Sequence, residues 1–413
     1  MVLLISFSCK KKDAIPPEVA ISSPLAMSSY DVLDYITVSG LVSDESNIEW
    51  VEIKLLNTNL VPVVSPILLT TTDLEYDFTS SLYIDDIHLG SGNYFLKVSA
   101  YDGENTTSRF IEILLSAVPL ELKSTFVLSS SSNSFNLYEL SGTSSILKES
   151  FSGVFQSGIS NSYHQYLFFG SNLSGYGYNP DFNYIPWEIP VDFSFYDYFN
   201  KSVYSNEDQL HYISHGSGKV KAYDKNGNVI YSLLLNQGEY PEDLLVYNQK
   251  VYLEVFTNAF NRDFVVFFKN SGLENCRISI DKDVVGILPK SDHELYVFTS
   301  TNGVCELYVY SINSNSFGLP RSLPSGTIND VAALSDNEII IAHETGLLRY
   351  TYTNNSLVPI VSEEFNKVKY DNLNNVLLVS TLNELRYYSN LGAPIGIIIN
   401  PENITDFYLY YNK

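Results

Sequence analysis

Residues 404–412 read ITDFYLYYN, and the reading of this stretch decides the fold. It matches INDVAALSD at 328–336, where a second apolar run, EIIIAHET, begins at Glu338. No such run follows Asn412. A long strand with an unpaired row of N–H and C=O groups invites pairing with other chains, so a partner is expected elsewhere in the molecule. The run that fits is STFVLSSSS, from Ser124. The last strand is therefore expected to lie beside Phe126.

Working outward, the same kind of strand recurs. KVYLEVFT starts at Lys250, ELYVFTST at Glu294, EIIIAHET at Glu338 and NVLLVSTL at Asn375, with separations of 44, 44 and 37 residues. QLHYISHG begins at Gln209, 41 residues before the first of these. That spacing is the period of a four-stranded repeat. GLLRYTY and NELRYYS align Leu348-Arg349-Tyr350 with Leu385-Arg386-Tyr387, and FVLSSSSNSFNLYEL from Phe126 aligns without gaps on YVFTSTNGVCELYVY from Tyr296. Another strand, PEDLLVYNQ, INDVAALSDN or FNKVKYDNLN, precedes three of the matched strands. Repeats near 124, 165, 209, 250, 294, 338 and 375 predict a seven-bladed β-propeller over 119–413, closed by the carboxy-terminal strand.

A chain of 413 residues exceeds one typical core. With 32 Tyr, 23 Phe and short Ser, Asn, Thr and Val runs bounded by Gly and Asn-Gly, the composition is all-β. No stretch holds apolar residues at helical spacing for three turns, so almost no helix is expected. Residues 16–117 read as a β-sandwich: PPEVAISSP, YITVSGLVSD, IEWVEIKLL, LEYDFTSSLYI and GNYFLKVSAYDGENTTSRFIEILLS supply its strands. Trp50, alternating with Val51, is expected in the core.

This segment resembles bacterial immunoglobulin-like domains through Pro16-Pro17-Glu18-Val19, Ser22-Ser23-Pro24, the run from Val38 to Asp44, and the run from Tyr94 to Asn105. The resemblance covers about a quarter of the chain and implies a spacer or adhesion module. Asp44, Asp102 and Glu104 lack the spaced Asp-x-Asp ligands of calcium-dependent adhesion repeats and read as a solvated turn.

Ahead of the sandwich, VLLISFS followed by Cys9 and three lysines resembles the signal end of Bacteroidetes lipoproteins. That resemblance implies a diacylglycerol on the Cys9 sulfur and loss of the preceding residues, so that 1–15 is a signal remnant followed by a tether. The implied address is the cell envelope, as an outer-membrane lipoprotein facing the periplasm or the surface. Each buried methylene would add about 0.8 kcal/mol to the anchor. The alternative is an ordinary amino-terminal segment.

A formal charge of −23 argues against nucleic acid and anionic headgroups as partners, since both are held through Lys and Arg clusters. After residue 9 no apolar run approaches the roughly 20 residues needed to cross a bilayer, so membrane contact is expected only through the lipid. Cys276 and Cys305 read as separate thiols, although an exported address permits a bridge.

Two candidate sites emerge. GSNLSGYGYNPDFNYIPWEIPVDFSFYDYF, from Gly170, departs from the regular repeats, and its prolines place part of it at a loop or edge. A loop presenting Tyr176, Tyr178, Phe182, Tyr184 and Trp187 would stack on sugar rings or on a partner's apolar patch; the alternative is a satellite core. The second candidate is the channel mouth. Asp243, Asp330 and Asp406 fall near the starts of innermost strands, with Lys201 and Lys367 at corresponding positions. Such a ring would hold a cation or a hydroxyl-rich ligand, or would cap neighbouring backbone N–H groups.

Weaker signals lead nowhere specific. DKNGNV at Asp224 lacks the closing Glu of a calcium loop and reads as a hairpin turn. His211 and His215 share a strand face but lie about 13 Å apart at roughly 3.3 Å per residue, too far to share a metal. Gly-rich phosphate loops and nucleophile elbows are missing from the sequence. No metal and no cofactor are expected. The functional expectation is an exported, lipid-anchored binding protein, not an enzyme, whose propeller recognises a glycan or an envelope protein. A scaffold subunit of a surface complex and a polysaccharide-acting enzyme are the alternatives.

Overall fold

The computed structural model describes residues 15–191, 198–257 and 261–413. Cys9 and its flanks lie outside the described residues. The chain divides into two compact units, 1–119 and 120–413. Every regular element among the described residues is a strand.

In the first unit, three strands, Glu18–Ser23, Tyr35–Ser43 and Glu75–Tyr83, form one sheet. Ser29–Asp31, Thr106–Ser116, Gly92–Tyr101, Trp50–Leu56 and Ile67–Thr70 form the other, in that order. Alternating residues of both sheets, among them Ile36, Val38, Val51, Ile53, Leu96 and Val98, make one buried core. The two short strands, Ser29–Asp31 and Ile67–Thr70, carry exposed residues and lie at the sheet edges. Trp50 is not in that core. Val51 points inward, and period-2 alternation sends Trp50 to the opposite face, where it stacks on Tyr101 at 5.4 Å. Asp102 accepts hydrogen bonds from the Glu104 and Asn105 N–H groups, and Asp44 from Ser46 N–H, so both acids cap turns.

The second unit is a succession of antiparallel sheets in a propeller-like ring. Six are consecutive along the chain, and their innermost strands are Phe155–Asn161, Phe199–Ser205, Glu239–Tyr247, Val284–Ser291, Ile328–Ser335 and Lys367–Asp371. A seventh combines Leu122–Ser130, Ser134–Ser141 and Ser144–Ser152 with the last strand, Asp406–Tyr411. That last strand pairs antiparallel with the first, with Tyr408 opposite Phe126 as the sequence predicts.

Hydrophobic packing shows the closure independently. Each pair of adjacent sheets shares a buried cluster. Phe126 and Tyr408 pack with Phe169, Phe168 with Ile213, Val220 with Val251, and Tyr252 with Val297. Phe298 packs with Ile339, Ile340 with Leu377, and Leu378 with Val127 and Phe407. Successive residues of one strand face opposite neighbours, so the second strand of each sheet is buried on both sides and reads as an apolar run. Tyr166–Ser171 is buried throughout, whereas the outermost strand Pro394–Ile399 is mostly exposed. Asn302 and Gly303, both with positive φ, make the tight turn between Glu294–Thr301 and Val304–Ser311.

Cys276 and Cys305 are free thiols: Cys276 Sγ lies 3.2 Å from the Tyr310 hydroxyl, and Cys305 Sγ donates to the Gly326 carbonyl at 3.1 Å. Asp224 closes a hairpin by accepting from Asn226 and Asn228 N–H groups.

Candidate functional site

Among the described residues of the aromatic segment, four of the five rings lie in strands and Phe182 sits in the turn between them. Tyr176 and Tyr178 lie in Ser174–Asn179, and Tyr184 and Trp187 in the outer strand Tyr184–Pro190, which tolerates Pro186 and Pro190 because it is an edge. Alternation then disperses the rings. Tyr178 is fully buried and donates to Asn183 Oδ1 at 2.5 Å, while Tyr176 packs on Phe151 at 5.2 Å. Trp187 stacks on Phe168 at 5.9 Å and donates through Nε1 to the Lys225 carbonyl at 3.1 Å. A Cβ on Gly177 would meet the Trp187 ring at 2.2 Å, and one on Gly175 would meet Phe199 at 2.8 Å. The Gly-Tyr-Gly-Tyr run is thus a packing device. Only Phe182 and Tyr184 of the five remain well exposed, at 78% and 50%.

The mouth residues do converge. Lys201, Asp330, Lys367 and Asp406 line one cavity of 440 Å³. Asp243 lines an adjoining one of 230 Å³, and both cavities share Asn200 and Lys201. The backbone explains part of the convergence. Register shifts interrupt five innermost strands near their starts, at Phe155/Ser157, Phe199/Lys201, Pro241/Leu244, Val284/Gly286 and Ile328/Asp330. A bulge adds one unpaired residue and re-aims its side chain. Repetition around the ring brings side chains from separate sheets to one opening.

Several of these groups also stitch neighbouring sheets together. Gln156 Oε1 accepts from Phe199 N–H at 3.0 Å, Asn200 Nδ2 donates to the Pro241 carbonyl at 2.7 Å, and Asp330 Oδ2 accepts from Val368 N–H at 3.0 Å. Asp243 and Asp406 accept from the N–H groups that follow them, Leu244 at 2.9 Å and Phe407 at 2.8 Å. The acids therefore serve as backbone acceptors and ion-pair partners together. Lys201 Nζ lies 2.9 Å from Asp243 Oδ1, and Lys369 Nζ lies 3.2 Å from Asp406 Oδ1.

Electrostatics follow from this arrangement. Asp243 holds the Lys201 ammonium in its charged form and raises its pKa against the cost of burial, with help from Asp330 and Asp406. Burial alone would raise the Asp406 carboxyl, but Lys369 and Lys367 beside it and the Phe407 N–H bring it below the usual range.

Sequence reasoning missed two parts of this region. Lys369 sits two residues after Lys367 in one strand, so period 2 places both on one face, a signal that was available. The second part is a cluster in which Arg262 pairs with Glu254 at 2.6 Å and Asp283 at 2.7 Å and also contacts Glu242. Glu242, Glu254 and Arg262 come from three strands and Asp283 from the connection before Val284, and they carry no shared sequence signal. Burial raises the Glu254 carboxyl to about 8, only partly offset by Arg262.

A second cavity of 560 Å³ shares Gly158 and Lys369 with the mouth, and Tyr408 lines it. A Cβ on Gly158 would lie 2.4 Å from the Tyr408 hydroxyl, which donates to Asp406 Oδ2 at 3.0 Å.

His211 and His215 are buried, and burial lowers each to a pKa of about 3. Among the described residues, no group of three or more His, Cys, Asp or Glu is placed to hold a metal ion.

No family model matches the chain, and no curated protein matches it. A solved structure from Bacteroides thetaiotaomicron, described as a quinonprotein alcohol dehydrogenase-like protein, matches 96% of this chain and 99% of its own at 12% identity and a TM-score of 0.49. A likeness of that degree carries nothing about activity.

Proposed function

We propose that the chain is an exported, lipid-anchored binding protein, in which an immunoglobulin-like sandwich carries a seven-bladed β-propeller whose mouth receives a glycan. One observation carries the reading. Five innermost strands contribute side chains to a single cavity of 440 Å³, and the wall mixes donors and acceptors: Gln156, Ser157, Asn200, Ser202 and Thr405 stand among the charged groups. Convergent polar groups in a concave site suit a hydroxyl-rich ligand. Cys9, with the lysines after it, supplies the expected anchor at the cell envelope, and the sandwich spaces the ring from the membrane.

A non-enzymatic role fits the state of the carboxyls. Those in the mouth are engaged by backbone N–H groups and lysines, and the raised one, Glu254, is buried against Arg262. The scaffold reading draws on a different feature. The outer strand Pro394–Ile399 presents Ile395, Ile397 and Ile399 to solvent at 59%, 54% and 63%, a stripe an envelope protein could cover.

The test is a glycan array probed with the wild type and with Thr405→Trp, which fills the mouth. Glycan binding lost in the variant, with its fold retained by circular dichroism, is the expected result. Absence of any glycan hit together with co-purification of an envelope complex would move the assignment to the scaffold. Release of sugar products, abolished by Asp330→Asn, would make the protein an enzyme.

A further inference from the structure

We infer that the group entering the ring mouth is an anion, the uronate carboxylate or sulfate ester of an acidic glycan, held by Lys201, Lys367 and Lys369; this rests on the glycan-binding reading above. The argument turns on which charges a ligand would meet. The mouth's acids are turned into the wall. Asp406 accepts from Phe407 N–H and from the Tyr408 hydroxyl, Asp330 accepts from Val368 N–H, and Asp243 accepts from Leu244 N–H. The Asp243 and Asp406 side chains are only 8% and 16% exposed.

The lysines face the opening instead. Lys201 and Lys369 are 43% and 33% exposed at the side chain; Lys201 is paired with Asp243, while Lys369 is held by Asp406 and by the Phe407 carbonyl and so keeps a single donor free. Lys367 lines the same cavity, and among the described residues it has no carboxylate within ion-pair distance. An ammonium has three donors, so anchoring to one acid leaves capacity for a ligand. Tethering by the acids also fixes long side chains that would otherwise lose rotamer freedom when the ligand arrives.

A neutral sugar would strip water from these ammonium groups and return no charge, an unfavourable exchange. An anion returns it. Lysine presents a point charge without the planar fork of arginine, so the site accepts a planar carboxylate or a tetrahedral sulfate. The chain's net charge of −23 does not forbid this. At physiological ionic strength charges more than about 8 Å away are largely screened, so the incoming group meets chiefly the mouth's own charges, where Lys201, Lys367 and Lys369 stand against Asp330 and Asp406, both engaged by backbone N–H groups.

Calorimetry on the full chain decides the matter with three probes: an oligogalacturonide, its methyl ester, and a sulfated galactan oligosaccharide. The acid or the sulfated sugar is expected to bind at least tenfold more tightly than the ester, and whichever binds better identifies the anion. Lys367→Met should erase that preference, weakening the anionic sugar more than the ester, and Lys367→Arg should restore most of it. Equal affinity of the ester and both anionic probes, or equal loss of all three in Lys367→Met, overturns the inference while leaving glycan binding intact. Failure of all three probes to bind overturns both.

Discussion

The aromatic segment around residues 176–187 and the charged mouth are both unusual in the sequence, yet the fold treats them oppositely. In the first, residues close in the chain are driven apart, because alternation along two paired strands sends Tyr178 into one buried cluster and Trp187 against another, while Phe182 in the turn between them faces solvent. In the second, residues as far apart as Lys201 and Asp406 are brought to one cavity, because corresponding positions of a closed ring face its axis. Nearness in sequence is a poor guide to a site in a β-fold. Equivalence of position within a repeat is a better one.

The sharpest way to break this contrast is Phe168→Ala. Phe168 is fully buried, stacked on Trp187 and set 4.7 Å from the His211 ring. Its loss should cost about 3–5 kcal/mol in denaturant unfolding. A cost below about 1 kcal/mol would mean that the aromatic segment is not core.

Acid titration probes the same packing. His211 and His215 have folded pKa values of about 3, against an ordinary 6.5. A base whose folded pKa is depressed contributes stability above its unfolded value and loses it as pH falls. The protein should therefore weaken steadily between pH 6.5 and about 3, and His211→Phe should flatten that slope in a series of melts. An unchanged slope would remove the buried, neutral imidazole from the account.

Smaller effects are expected at the mouth. Asp330→Ala strands the Val368 N–H and should cost about 1–3 kcal/mol, with Asp330→Asn recovering part of it by keeping an acceptor. Equal stability for both variants would leave Asp330 free of any structural duty. The least effect is predicted for Phe182→Ala and Tyr184→Ala, within about 0.5 kcal/mol in unfolding because both rings are exposed. Loss of glycan binding in either one would restore the aromatic segment as a site and reverse the comparison.

Much of the ring was legible because its second strands are buried on both faces. The runs from Lys250 and Glu294 coincide with strands Lys250–Thr257 and Glu294–Thr301 to the residue. The short sandwich strands Ser29–Asp31 and Ile67–Thr70 were not legible, since edge strands with exposed residues have little apolar signal. Trp50 was misplaced because a large ring reads as core, while its register next to Val51 puts it on the outer face. Asp330 and Asp406 could be aligned by eye, and Lys369 could have been added from its spacing to Lys367. The Glu254–Arg262 pair could not, as it depends on how adjacent strands register.

The sequence by itself determined the all-β character, the repeat and the partner of the last strand, because burial on both faces and strand alternation leave a periodic apolar record. Only the tertiary structure decided which polar groups share a cavity. Bulges and ring closure set those directions, and neither is written in any single segment.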